Sequence, residues 1–287
     1  MSEFDAATFA HLRVHSHYSL LEATAAVPAL VARAAAAGCR ALALTDSNAL
    51  YGAVAFSRAC RAAGIRPIIG MTLAVAAPPD ALPDDRPAPG QLVLLAANSG
   101  GYRNLCRLSA CLQAHPDREA RLRQGVSWEA LRDAADGLIC IEAGAEGWLA
   151  RALRAGQRQA AARYASRLGA IFAERCYLGL TLAQLDDPAA LRALVQLGGR
   201  FGIRPVAAQP ITCLTPEEDA LRPLLAAMAQ NGRVADVPPF PYPTHWIEPE
   251  EITARFADLP EALTAVRDIA QACGDCLPDG APIWPAL

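Results

Sequence analysis

Two short stretches concentrate the side chains able to do chemistry. His11-Leu12-Arg13-Val14-His15-Ser16 alternates polar and apolar residues, and a strand's period of two puts His11, Arg13 and His15 on one face. Further on, Thr45-Asp46-Ser47-Asn48 closes the apolar run Ala41-Leu42-Ala43-Leu44. An imidazole, a guanidinium and a carboxylate at the ends of neighbouring strands can line a phosphate or metal site. They can equally form a buried ion pair and a hydrogen-bonded histidine that only organise the end of a sheet. Residue types alone do not choose between the two.

Other chemistries are easier to set aside. All 26 cationic residues are Arg, which removes the phosphate-loop lysine and the Schiff-base lysine together. Ser16 and Ser19 stand in no Ser-His-Asp pattern. Cys273 and Cys276 form a lone CxxC with no second pair or histidine tail to complete a zinc site. His17 reads as a surface side chain. Trp128, Trp148, Trp246 and Trp284 are too dispersed for a base-stacking platform.

The scaffold that must position these residues is legible as alternating elements. Strands are predicted near 12–15, 41–46, 67–75, 92–96, 138–142, 177–180 and 204–208, each followed by Ala/Leu-rich helical sequence or a loop, the pattern of parallel strands joined by crossover helices. One helix should end at Gly38 and another at Gly64, where left-handed caps are expected. Segment 78–90, dense in Pro and Asp, reads as a surface loop. About seven such units favour a barrel over an open sheet, with chemistry at the C-terminal strand ends. Thr215-Pro216 looks like a helix start, and two closing helices should begin near Pro249 and Pro260. One domain is expected over 1–287, with the barrel at about 10–235 and a helical extension at about 245–276.

Composition narrows the partners. A 53% apolar content supports a sizeable core, and a formal net charge of −3 argues against a self-sufficient grip on nucleic acid. No apolar run reaches the roughly 20 residues a bilayer requires. Nine Cys and an opening MSEFDAATFA without a leader pattern set the expectation of a reducing cytoplasm.

Longer phrases carry a resemblance. His11 to Leu21 (HLRVHSHYSLL), Ala41 to Asp46 (ALALTD), Leu50 to Phe56 (LYGAVAF) and Ala63 to Gly70 (AGIRPIIG) are joined later by GYRNL at 101–105, LTPEE at 214–218 and FADLPEAL at 256–263. In order and spacing this run resembles the PHP (polymerase and histidinol phosphatase) domain at the start of bacterial C-family DNA polymerases of the DNA polymerase III alpha type, replicative or error-prone. The resemblance implies a distorted, TIM-like (β/α)7 barrel with C-terminal helices, whose active members hold a metal cluster and hydrolyse phosphoesters.

It also implies that the ligand set here is depleted. Where the metal-binding form has His-x-His, this chain has Arg13 and His15; the Asp-His pair becomes Asp46 and Ser47. The Gly-x-Glu carboxylate becomes Thr72, the Cys-bearing turn falls near Gly144, and the late Asp-x-His becomes Pro210-Ile211-Thr212. Only His15 and Asp46 remain as metal ligands, and two donors do not define a cluster. Arg13 is then expected to replace the metal's charge by pairing with Asp46. The expected role is a catalytically inactive structural and partner-binding module without a cofactor. Its partners would be the polymerase core of a parent chain and a proofreading exonuclease subunit, with DNA reached only through the parent polymerase and no membrane. The alternative is residual phosphoesterase activity, exonuclease or pyrophosphatase-like, on weakly bound Zn, Mn or Mg.

Overall fold

The computed structural model describes residues 8–78, 89–144, 147–240 and 242–278. The chain runs through β1 (Arg13–Val14), α1 (Val27–Ala36), β2 (Ala41–Leu44), α2 (Ala53–Ala62), β3 (Arg66–Val75) and β4 (Gly90–Ala96). There follow α3 (Ser99–Gln113), α4 (Arg118–Gln124), α5 (Trp128–Asp133), β5 (Leu138–Glu142), α6 (Trp148–Arg154), α7 (Arg158–Phe172) and β6 (Cys176–Leu180). The last part holds α8 (Leu182–Leu185), α9 (Pro188–Arg200), β7 (Arg204–Ala207), β8 (Pro210–Ile211), α10 (Pro216–Asp219), α11 (Arg222–Ala229), α12 (Pro249–Arg255) and α13 (Pro260–Ala272).

Local rules account for these boundaries. In α1 the buried Val27, Leu30, Val31 and Ala34 recur at helical spacing, and the chain leaves through Gly38 at φ +69°. Thr215 caps α10 by accepting from Glu218 N, and Pro at the first turn opens α12 and α13. Strands β2 and β5 are buried along their whole length, as strands covered on both faces must be.

Strands β2 to β7 form one sheet in sequence order, and β1 pairs in parallel with β8. Two bonds link β1 to β2, Ala43 N to His11 O and Thr45 N to Val14 O. Only Ala208 and Gln209 separate β7 from β8, so β7 and β8 act as one bent seventh strand that closes the ring onto β1. The result is the α/β barrel anticipated from the seven strand signals.

One expectation fails in direction. Strand β4 runs antiparallel to both β3 and β5, whereas the alternating pattern implied parallel neighbours throughout. A parallel connection needs a crossover, usually a helix, and the proline-rich stretch between Val75 and Gly90 is unsuited to one. The loop expected at 78–90 lies mostly outside the described residues.

A single apolar core runs from Phe9 to Cys276 and takes in Trp246, Ile252, Phe256, Val266 and Ile269, so the closing helices share it. Helix α13 packs against β7. Among the described residues no helix is long and apolar enough to cross a membrane.

Candidate functional site at the barrel mouth

The mouth is where β1, β2, β3, β5 and β8 end, and His15 stands at its centre. The ring is 4% exposed. Its Nε2 lies 3.2 Å from Thr72 Oγ1, and its Nδ1 lies 3.3 Å from Ser47 Oγ and 3.4 Å from Ser19 Oγ. A parallel bridge between Ser47 and Thr72 continues the pairing of β2 with β3 and fixes the spacing of these hydroxyls. Both imidazole nitrogens are therefore engaged by groups from three segments.

Asp46 is 1% exposed and is held by the loop after β1. Ser16 N donates to Oδ1 at 2.6 Å, Ser16 Oγ donates to Oδ2 at 2.9 Å, and Ser19 Oγ donates to Oδ1 at 2.7 Å. Burial pushes the carboxyl's pKa up, while the hydrogen bonds from Ser19 and Ser16 pull it down. The expected pair between Arg13 and Asp46 does not form, because hydroxyls from the adjacent loop already satisfy the carboxylate. Arg13 instead donates from NH2 to Gln91 Oε1 at 2.9 Å and from NH1 to Ala143 O at 3.3 Å.

The remaining anticipated positions surround this pair. Pro210 sits opposite Arg13 in the β1–β8 register. Thr212 Oγ1 is 2.6 Å from Thr244 Oγ1. Gly144, at φ +64°, follows the Ala143 carbonyl that Arg13 reaches, and a side chain there would strike Gly179 O. His11, expected to share the face of Arg13 and His15, is packed between Phe9 and Trp246 with ring centroids 5.2 and 4.3 Å away. Burial lowers its pKa to about 3, so it stays neutral.

Three further residues at the mouth are not among the positions anticipated from the sequence. Glu22 reaches back so that Oε2 accepts from Ser47 Oγ and lies 4.0 Å from His15 Nδ1; a carboxylate seven residues beyond His15 was the available clue. Gln91 arrives because the inverted β4 starts, rather than ends, at this rim. Glu142 is wholly buried at the end of β5 and accepts from Gly144 N and Leu149 N, each at 3.1 Å. Burial lifts its pKa from 4.5 to about 7, against the opposing pull of those two N–H groups, Arg151 and Arg13.

Beside these groups lies a cleft of about 290 Å³ between the mouth and α11. A metal cluster does not fit the donors present. A guanidinium occupies one expected ligand position and proline another, both His15 nitrogens face hydroxyls, and Asp46 is saturated by serines. Among the described residues no three His, Cys, Asp or Glu are grouped to hold an ion; Cys273 and Cys276 are simply buried free thiols.

Sequence comparison finds relatives along nearly the whole chain. The DNA polymerase III subunit alpha of Bacillus subtilis (strain 168) is 32% identical over 268 residues, covering 93% of this chain and 23% of that protein. The same subunit of Escherichia coli (strain K12) is 32% identical over 270 residues, covering 92% and 23%. An error-prone DNA polymerase of Symbiobacterium thermophilum is 32% identical over 301 residues, covering 97% and 26%. The chain thus spans about a quarter of the length of the curated relatives it matches. A family model described as the PHP domain matches residues 11–182, a stretch that holds β1 through β6 and most of the mouth. On that match, which takes in more than half of the residues, this chain belongs to the PHP domain family.

Proposed function

We propose that this chain serves as the PHP module of a DNA polymerase III alpha-type polymerase and that its mouth does not hydrolyse phosphoesters. The observation that carries the reading is the set of side chains at the ligand positions: Arg13, Ser47, Thr72, Gly144, Pro210 and Thr212 surround a His15 whose two nitrogens already face hydroxyls. What remains is a rigid barrel with surfaces. Leu221, Leu224, Met228, Val234 and Phe240 are all at least 39% exposed and fall within one stretch of the chain, an apolar area suited to docking on a polymerase core or a proofreading exonuclease subunit. With a net charge of −3, contact with DNA comes through the parent polymerase.

A second reading has one observation in its favour. His15 and Asp46 both meet Ser19, and with water and substrate oxygens could hold one Mg, Mn or Zn ion loosely, supporting weak phosphoesterase activity. Metal analysis of the metal-supplemented protein, with phosphodiester hydrolysis by wild type and His15→Ala, separates the two. Substoichiometric metal and equal background rates are expected. Bound metal with hydrolysis that requires His15 would overturn the inactive reading.

A further inference from the structure

A second exposed apolar surface lies where the loop after β1 meets the loop after β2. The two loops are laced together. Ser47 N donates to Ser19 Oγ at 3.0 Å, Ser47 Oγ donates to Glu22, and the Tyr18 ring rests over Gly52, where a side chain would approach it to 2.9 Å. Three of the four most exposed large apolar side chains among the described residues stand here: Leu20 at 76%, Tyr51 at 59% and Val54, in the first turn of α2, at 50%. The turn that leaves Leu20 in water passes through Leu21 at φ +61°, a conformation rare for a bulky side chain. Single apolar residues on a surface need no explanation, but a group of them marks a place of contact.

The flank beside this group is cationic. Tyr51 OH donates to Gln113 Oε1 at 3.4 Å and Ser109 Oγ donates to Asn48 O at 3.0 Å, which seats the last turns of α3 against these loops. Helices α2, α3 and α4, with the α4 cap Asp117, hold seven Arg and two carboxylates. Those carboxylates are engaged, Asp117 with Ala120 N and Glu119 with Arg123, and Asp275 takes up Arg61. Arg58, Arg103, Arg107 and Arg118 are exposed and form no ion pair among the described residues. Arg58 lies one turn beyond Val54 on the same face of α2.

We infer that this surface docks an acidic peptide segment with bulky apolar side chains, which cover Leu20, Tyr51 and Val54 while its carboxylates face Arg58, Arg107 and Arg118. Charge complementarity selects the sign of the partner, and the two aliphatic side chains select its kind. Single-stranded nucleic acid takes successive aromatic rings for its bases, and Tyr51 is the one ring of the three. The surface is separate from the apolar area on α11 and does not depend on whether the mouth hydrolyses anything.

The test is fluorescence anisotropy of the whole chain with a labelled peptide in which Asp and Glu alternate with Leu and Phe. Three probes accompany it: the same peptide with Lys for the acids, the same with Ser for Leu and Phe, and labelled oligothymidylate. The acidic apolar peptide should bind with a dissociation constant on the order of 10 μM, and each other probe at least about tenfold more weakly. The double variant Leu20→Ser, Val54→Ser should weaken binding about tenfold or more with an unchanged melting temperature, since both side chains are in water. Arg58→Gln with Arg107→Gln should weaken it several-fold and flatten its salt dependence. Met228→Ser, on the exposed face of α11, should leave it unchanged. Failure of the acidic peptide to bind, equal affinity for the Lys peptide, or indifference to the double variant would overturn the inference. Tighter binding of oligothymidylate would make this a nucleic-acid surface and overturn it too. A dimer in sedimentation that the double variant disperses would show a second copy covering the surface, with the same result.

Discussion

Glu142 makes the stability of this barrel depend on pH in a direction opposite to that of a salt-bridged carboxylate. Its folded pKa, about 7, stands above the ordinary 4.5. The folded state therefore holds the proton more tightly than the unfolded chain does. The stabilising contribution of the neutral acid is complete below 4.5 and is lost as the pH climbs through 7. Taking those two values, the loss between about pH 5 and about pH 8 amounts to roughly 2–3 kcal/mol. Asp46, also raised by burial, adds to the slope, so the informative quantity is a difference between proteins. Glu142→Gln keeps the volume and one acceptor for the Leu149 or Gly144 N–H, and costs about 1–2 kcal/mol at every pH for the bond it spoils. Urea unfolding of both proteins at the two pH values should show wild type losing about 2 kcal/mol more than the variant over the interval. A difference below about 0.5 kcal/mol would refute the assignment, since that is the ordinary scatter of such comparisons.

Ser19→Ala should cost about 2 kcal/mol in unfolding free energy, because it strips a 2.7 Å donor from buried Asp46 and the acceptor for Ser47 N; a change near zero would mean that water replaces the hydroxyl. Gly101→Ala should destabilise by about 3 kcal/mol or more, as its new methyl would lie 2.0 Å from the Gly137 carbonyl oxygen. Gly38→Ala, with open space but φ +69°, should cost only about 1 kcal/mol, and thermal melts of the two variants check the order. The combined Arg13→His, Ser47→His and Thr72→Glu variant returns three donors to the surroundings of His15 and Glu22, and metal analysis should find at least about one bound Zn or Mn equivalent where wild type has less. A folded variant that takes up no metal would sink the account of the depleted ligand set.

Seven strands could be read from the sequence because each is an apolar run bounded by turns, and the caps at Gly38, Gly64, Thr215, Pro249 and Pro260 follow from local backbone rules. The direction of β4 could not, since Leu92 to Ala96 has the same apolar pattern either way round. The gathering of His15, Asp46, Ser47 and Thr72 follows from strand adjacency. The partner of Asp46 does not: Ser16 and Ser19 approach from a neighbouring turn and satisfy the carboxylate with short side chains, whereas Arg13 would have to give up Gln91 and Ala143 to reach it. Glu22 lies outside any periodic signal, and Glu142, although it ends a legible strand, is not marked by its sequence as a wholly buried acid. Their roles depend on where a loop returns and on how the start of α6 meets the end of β5.

The inversion of β4 also bears on how such a barrel can diversify. Val75 and Gly90, the ends of β3 and β4, are paired beyond the level of Thr72, so both strand ends meet at the functional rim. Closing a longer loop there costs only about 0.6 kcal/mol for each doubling of its length. Elsewhere, an insertion at the rim has to accommodate the helix that follows it. Here chain can be added or removed between two strand ends that are already paired, close in sequence to Gln91, which helps to line the groove. A change of length between these two strand ends is therefore an inexpensive means of changing what the mouth admits.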